Sequence, residues 1–230
     1  MKPSMFAEIK WTRFCTPFLV LAGLDLLLIS TNVVFRGLSF FDVIESTPNI
    51  WKVTSNVSIS SGFIFFKWIA LSTILVLIWR RDRQPIYAVL AAVFLALFLD
   101  DLLEIHEFVG ITFATQFDLP EVIGLRGQDL GELMYWAMLG TAVLSGTIFG
   151  LYASTPVARL FGYAFLVLFL FLAFFGIFVD LLHVVAQEIP GDLGKVVGFG
   201  FGLFEDGGEM IAASALTAFA YSLWRHPKNS

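Results

Sequence analysis

Residues 85–110 read PIYAVLAAVFLALFLDDLLEIHEFVG. The first fourteen carry no charge and open on a proline, which is tolerated in the first helical turn because its missing N–H would be unpaired there. A helix that is apolar all round must be surrounded by other apolar matter, protein or lipid. At its far end Asp100, Asp101, Glu104, His106 and Glu107 crowd into eight positions. The fold must therefore accommodate both a greasy rod and a dense polar group at its tip.

The rest of the chain decides for lipid. Of 230 residues 58% are hydrophobic and 14% charged, with a mean hydropathy of +0.83. Apolar runs of about 18 residues or more read as membrane-spanning helices. Six are expected, over 17–35, 60–79, 85–108, 128–152, 157–186 and 196–224. The chain reads as all-α, a polytopic six-helix membrane bundle forming one domain over 1–230. The basic then apolar N-terminus resembles a signal peptide, but without a small-residue cleavage site and with Asp25 inside the apolar run it reads as a retained first helix. One cysteine, Cys15, excludes an intrachain disulfide and a multi-thiolate metal site. The net charge of −5 and the lack of a basic patch argue against nucleic acid as a partner.

Loop charge sets the expected orientation. Lys2, Lys10, Arg13, Arg80, Arg81, Arg83, Arg159, Arg225 and Lys228 fall on one side if the spans alternate. By the positive-inside rule that side is cytoplasmic, with both termini. The opposite loops mix Arg36, Lys52, Arg126 and Lys195 with more acids. Trp51, Trp79 and Trp224 suit the interfacial belts.

This orientation brings acids from four helices to one level. Asp100 lies about 22 Å and Glu107 about 33 Å along the third span, at 1.5 Å per residue. The fourth span opens with Asp129 and Glu132, the fifth ends on Asp180 and His183, and the sixth carries Glu205, Asp206 and Glu209 in its outer half. At about 100° per residue, Asp100, Glu104 and Glu107 share one face, while His106 points away unless the helix has ended. Asp129 and Glu132, Asp180 and His183, and Glu205 and Glu209 are each helical neighbours. A charge at the bilayer centre costs about 2.5–3.5 kcal/mol on the milder scale. Ten acids left ionised and unpaired would cost roughly 25 kcal/mol, above the 5–15 kcal/mol that typically stabilises a domain. They must be protonated, hydrated, paired or bound to metal. Lys67, level with Asp100, is the best-placed cation for an internal salt bridge.

The leading reading is a metal site facing the periplasm. The ligand candidates are Asp100, Glu104, His106, Glu107, Asp180, His183, Glu205 and Glu209, with Asp101 or Asp206 as a general base if the protein is a metalloenzyme acting on a lipid or other apolar substrate. Carboxylates with one acid-x-x-His pair favour a divalent ion such as Fe, Mn or Zn. The alternatives are a cation- or proton-coupled transporter, with Asp25 extending the path inward, and an accessory subunit of a membrane complex. Against transport stand the inner halves of spans three to six, which hold almost no ionisable group. The expected partners are the lipid bilayer and either further copies of the chain or another membrane subunit.

Acids opening a helix also suit its dipole, which explains Asp129 and Glu132 without ligation. Gly198 and Gly202 have the spacing of close helix contact, and Gly207 and Gly208 read first as packing positions, with a loosened last helix beside its acids as the alternative. Ser58, Ser60 and Ser61 lie where they can face the acids.

FLDDLLEIHE, FVDLLH and LFEDGGEM together resemble a widespread group of functionally uncharacterised bacterial inner-membrane proteins. Their marks are an LDD or LDE acid pair followed by HE, and an E-D/E-G-x-E-M motif near the last helix. The resemblance rests on Asp100, Asp101, His106, Glu107, Glu205, Asp206, Glu209 and Met210. It implies a bacterial inner-membrane protein with a shared acidic site that includes His106, and it implies no reaction.

Overall fold

The computed structural model describes residues 11–226 except 54, 56, 123 and 188, and does not describe the side chains of 11, 192 and 195. Lys2, Lys10, Glu188 and Lys228, together with the Asp192 and Lys195 side chains, therefore lie outside the described residues. Every regular element among the described residues is helical, the α-helices being α1 (Trp11–Phe40), α2 (Ile59–Asp82), α3 (Pro85–Leu103), α4 (Ile105–Phe117), α5 (Gly127–Tyr152), α6 (Pro156–Ala173), α7 (Asp180–Gln187) and α8 (Gly191–Trp224). A π-helical turn, Phe174–Val179, joins α6 to α7 without a break.

Five of these stretches are long and apolar enough to cross a membrane: 12–40, 59–82, 85–103, 127–152 and 156–187. Their outer faces are apolar, with Leu19, Phe149 and Val167 each about two-thirds exposed. A soluble protein rarely shows such continuous apolar surface, whereas helices that cross a membrane do. The helix α8 has 34 residues, about 51 Å at 1.5 Å per residue, but carries the carboxylates of the site. It is the central element, packing against α1, α2, α6 and α7.

The core is built by α2, α3, α6 and α8, where Leu71, Leu75, Ile86, Phe94, Phe165, Ala213 and Leu216 are fully enclosed. Lys67 of α2 carries a charge into it. That ammonium meets Asp25 rather than the acids near Asp100: Nζ donates to Asp25 Oδ1 at 2.7 Å, to the Met210 carbonyl at 2.8 Å and to Ser214 Oγ at 3.3 Å. Ser214 in turn donates to Asp25 Oδ2 at 2.5 Å. Asp25 thus ties α1 to α2 and α8, and both charged side chains are 0% exposed.

Caps close the helix ends. Ser58 caps α2 by accepting from the Ser61 N–H at 3.0 Å. Arg81 donates to the carbonyls of Leu223, Trp224 and His226, satisfying acceptors that α8 leaves open at its C-terminus. Asp129 closes a capping box with Arg126, accepting from its backbone N–H at 2.6 Å and its guanidinium at 2.7 Å. The terminal-acid reading therefore holds for Asp129.

One expectation is corrected. The third helix does not run to 108. It ends at Leu103, and Glu104 takes a left-handed backbone (φ 50°, ψ 41°) before α4 restarts. Asp100, Glu104 and Glu107 consequently do not line one helical face. Gly207 and Gly208 do not interrupt α8, which agrees with the packing reading rather than a loosened helix. A Cβ added at Gly208 would run into the Phe175 ring, so the residue is small to admit that ring. Gly110 and Gly131 act alike where α4 crosses α5, since a Cβ on Gly131 would strike the Gly110 backbone.

Candidate metal centre

The break at Glu104 brings His106 back toward the end of α3. Its Nδ1 lies 2.8 Å from Asp100 Oδ2, while Tyr135 of α5 donates to Asp100 Oδ1 at 2.6 Å. Asp100 is thus buried with both oxygens engaged. Its neighbour Asp101 accepts from the Trp68 indole at 3.1 Å. A non-glycine residue in the left-handed region carries a conformational cost that the surroundings must offset. Here the His106–Asp100 pair is what the break makes possible.

His106 lies in α4, beyond the apolar spans. Burial works to lower its pKa, but the hydrogen bond and charge of Asp100, with Glu132 and Asp101 adding to them, raise it overall. The pKa of Glu107 is raised by burial and by the adjacent Glu104. A raised imidazole pKa stabilises the fold fully below the ordinary value near 6.5, and the contribution is lost as pH climbs through the raised value. Thermal unfolding in detergent is expected to fall from pH 5.5 to 8.5 more steeply for the wild type than for His106→Gln. Equal slopes would show that the pair contributes nothing.

A second polar group forms opposite. The π turn precedes Asp180 directly, and such turns insert one extra residue, which rotates everything after it. Asp180 and His183 on α7 then face Glu205 on α8. One donor atom from each of the three lies within 4.8 Å of the others. His183 Nδ1 is 2.7 Å from Glu205 Oε2, and its Nε2 is 2.9 Å from the Gln187 amide. Gly202 makes room for this ring, because a Cβ there would stand 2.8 Å from His183 Cε1. That contact accounts for one of the two glycines at close-packing spacing.

His183 lies with Asp180 and Glu205 on a cavity of about 280 Å³, which adjoins a larger one of about 790 Å³ lined by members of both groups. Asp101, Glu104, His106, Glu107 and Glu132 line one side, and Asp180, Glu205, Asp206 and Glu209 the other. Among the described residues Arg126, already paired with Asp129, is the only guanidinium in its lining. Residues 14–224 match the family described as Domain of unknown function (DUF8692). The chain belongs to the DUF8692 family. No curated protein and no solved structure matches it.

Within this DUF8692 chain the sequence-derived candidates sort by place. Asp180, His183 and Glu205 come together as a ligand set; Asp100 and His106 pair with each other; Glu104 and Glu107 lie on the cavity wall. Glu209 sits deeper, beside the space that Gly176 leaves for it. Of the serines, Ser61 reaches the lining, and its hydroxyl donates to the Ser55 carbonyl at 2.5 Å. Tyr135, Trp68 and Gln187 were not anticipated. Tyr135 follows Glu132 by three residues and Gln187 follows His183 by four, so both were legible by helical spacing. Trp68 was not, since its partner lies on another helix.

Two carboxylates and one imidazole suit a borderline or hard divalent cation. Bonds of about 2.0–2.2 Å hold ligand atoms up to roughly 4.3 Å apart, so the set needs only side-chain adjustment to close on an ion. With its amide turned so that Oε1 faces the ring, Gln187 would accept from Nε2–H and supply the outer hydrogen bond that fixes a metal-ligating histidine. The donor set fits.

Proposed function

We propose that this chain is a six-span integral membrane protein of a bacterial inner membrane, termini cytoplasmic, whose outer half holds a divalent metal on Asp180, His183 and Glu205. The carrying observation is the convergence of those three donors from two helices, with Asp180 and Glu205 at the wall of the larger cavity. A cation there offsets the mutual repulsion of two carboxylates held in a poorly solvated place, which is otherwise costly. Such an ion supplies Lewis acidity toward an oxygen atom. Asp206 lines the cavity beside Glu205 and has no hydrogen-bond partner among the described residues, so it is the group open to accepting a proton. Asp101 already accepts from Trp68.

This supports a membrane metalloenzyme over a transporter. Asp25, the residue needed to carry an ion path inward, is instead locked against Lys67 and Ser214. Elemental analysis of protein purified in mild detergent, without chelator, is expected to find about one Fe, Mn or Zn per chain. Folded protein that stays metal-free after incubation with each ion would overturn the reading.

A further inference from the structure

The cavity has two chemically different ends. Away from the carboxylates its wall is Leu97, Leu139, Val143, Leu166 and Phe169. Leu144 of α5 and Leu170 of α6 also line it, yet remain 53% and 59% exposed. A side chain that lines a cavity and also faces outward stands at its mouth. At 1.5 Å per residue Leu144 lies about 12 Å, and Leu170 about 21 Å, from the turn joining α5 to α6. Both depths fall within a hydrocarbon layer of about 30 Å. The mouth therefore opens on lipid, through the flank between these two helices. Gly140 widens it, because a Cβ added there meets nothing within 4 Å.

At the other end the donors are already committed, Trp68 to Asp101, Gln128 to Glu132 and His106 to Asp100. Among the described residues neither Asp206 nor Glu209 has a hydrogen-bond partner, and Arg126 is committed to Asp129. Carboxylates left without donors in a poorly solvated place are costly, and a second anion beside them is repelled. An ammonium brings positive charge and three donors. The cavity volume lies in the range of about 300–1,000 Å³ that encloses one small ligand, which suits one chain rather than two.

We infer that the cavity takes up from the bilayer, between α5 and α6, a single-chain amphiphile whose head group carries a protonated amine. The head group sits among Asp206, Glu209 and the facing acids, and the chain lies along the apolar wall. This deepens the metal reading and rests on it only for what the ion does at the head-group end.

Trp68 and Trp136 both line the cavity, which provides an optical readout. Protein in phosphatidylcholine nanodiscs is titrated with 9,10-dibromo-octadecylamine or with 9,10-dibromostearic acid, and tryptophan quenching is followed. The amine is expected to quench saturably at a mole fraction at least tenfold below that of the acid. Gly140→Phe and, independently, Leu170→Phe should abolish the saturable part, and Asp206→Asn with Glu209→Gln should reduce the amine preference several-fold. Equal quenching by amine and acid overturns the inference, as does saturable quenching that survives both plugs in protein of unchanged circular dichroism. Metal content is measured on the same samples. Amine-selective quenching without an ion overturns only the metal reading, whereas a bound ion without selective quenching overturns only this one.

Discussion

Lys67→Met is expected to be the most destabilising single substitution in this chain, by about 3–5 kcal/mol, the usual cost of stranding one member of a buried ion pair. Methionine nearly fills the lysine's volume, so the loss is electrostatic rather than a cavity effect. It leaves Asp25, fully enclosed, with Ser214 as its remaining hydrogen-bond partner. The cost appears as a large drop in the unfolding temperature in detergent. Adding Asp25→Leu to Lys67→Met should restore most of the loss, because a buried pair replaced by apolar groups of similar volume is often neutral or better. The double-mutant cycle isolates the pair. A double variant as unstable as the single one would show that packing of α1 on α8, and not charge, is what Lys67 secures.

His183→Ala and Glu205→Gln are each expected to reduce bound metal from about one ion per chain to background. The first removes the nitrogen donor. The second keeps the shape of the side chain but loses its charge, which separates ligation from packing. Gln187→Leu removes only the hydrogen bond to the imidazole, and changes at that distance typically cost 10–100-fold in affinity. Full loading should therefore return at higher metal concentration. His106→Gln, on the facing wall and paired with Asp100, should retain the ion. Loss in His106→Gln equal to that in His183→Ala would mean that the two walls act as one larger site.

The helical architecture, with helices long and apolar enough to cross a membrane, was legible because it follows from composition and run length, which tertiary contacts do not alter. Asp180 and His183 were legible as a pair because four-residue proximity is a local property of a helix. Glu205 joined them through depth, a quantity that rise per residue supplies. What the chain hid was rotation. Nothing in DDLLEIHE marks Glu104 as left-handed, since that backbone favours glycine or asparagine. The expected shared face of Asp100, Glu104 and Glu107 failed at that one residue, and His106 was gained by the same failure. Lys67 was recognised as an internal ion-pair partner, but depth alone ranked Asp100 above Asp25. Which neighbour a buried ammonium meets depends on the helix beside it, and α1 against α8 is a long-range choice.

The six residues from Phe174 to Val179 complete a turn that an ordinary helix makes with fewer. Grafting Asp180, His183 and Glu205 onto an idealised scaffold of straight helices would therefore fail if the sequence were copied position for position. One surplus residue is worth about 100° of heading, enough to swing the imidazole out toward the acyl chains. A designer would have to keep the irregularity or delete a residue ahead of it. Here the blemish in the helix is what aims the chemistry.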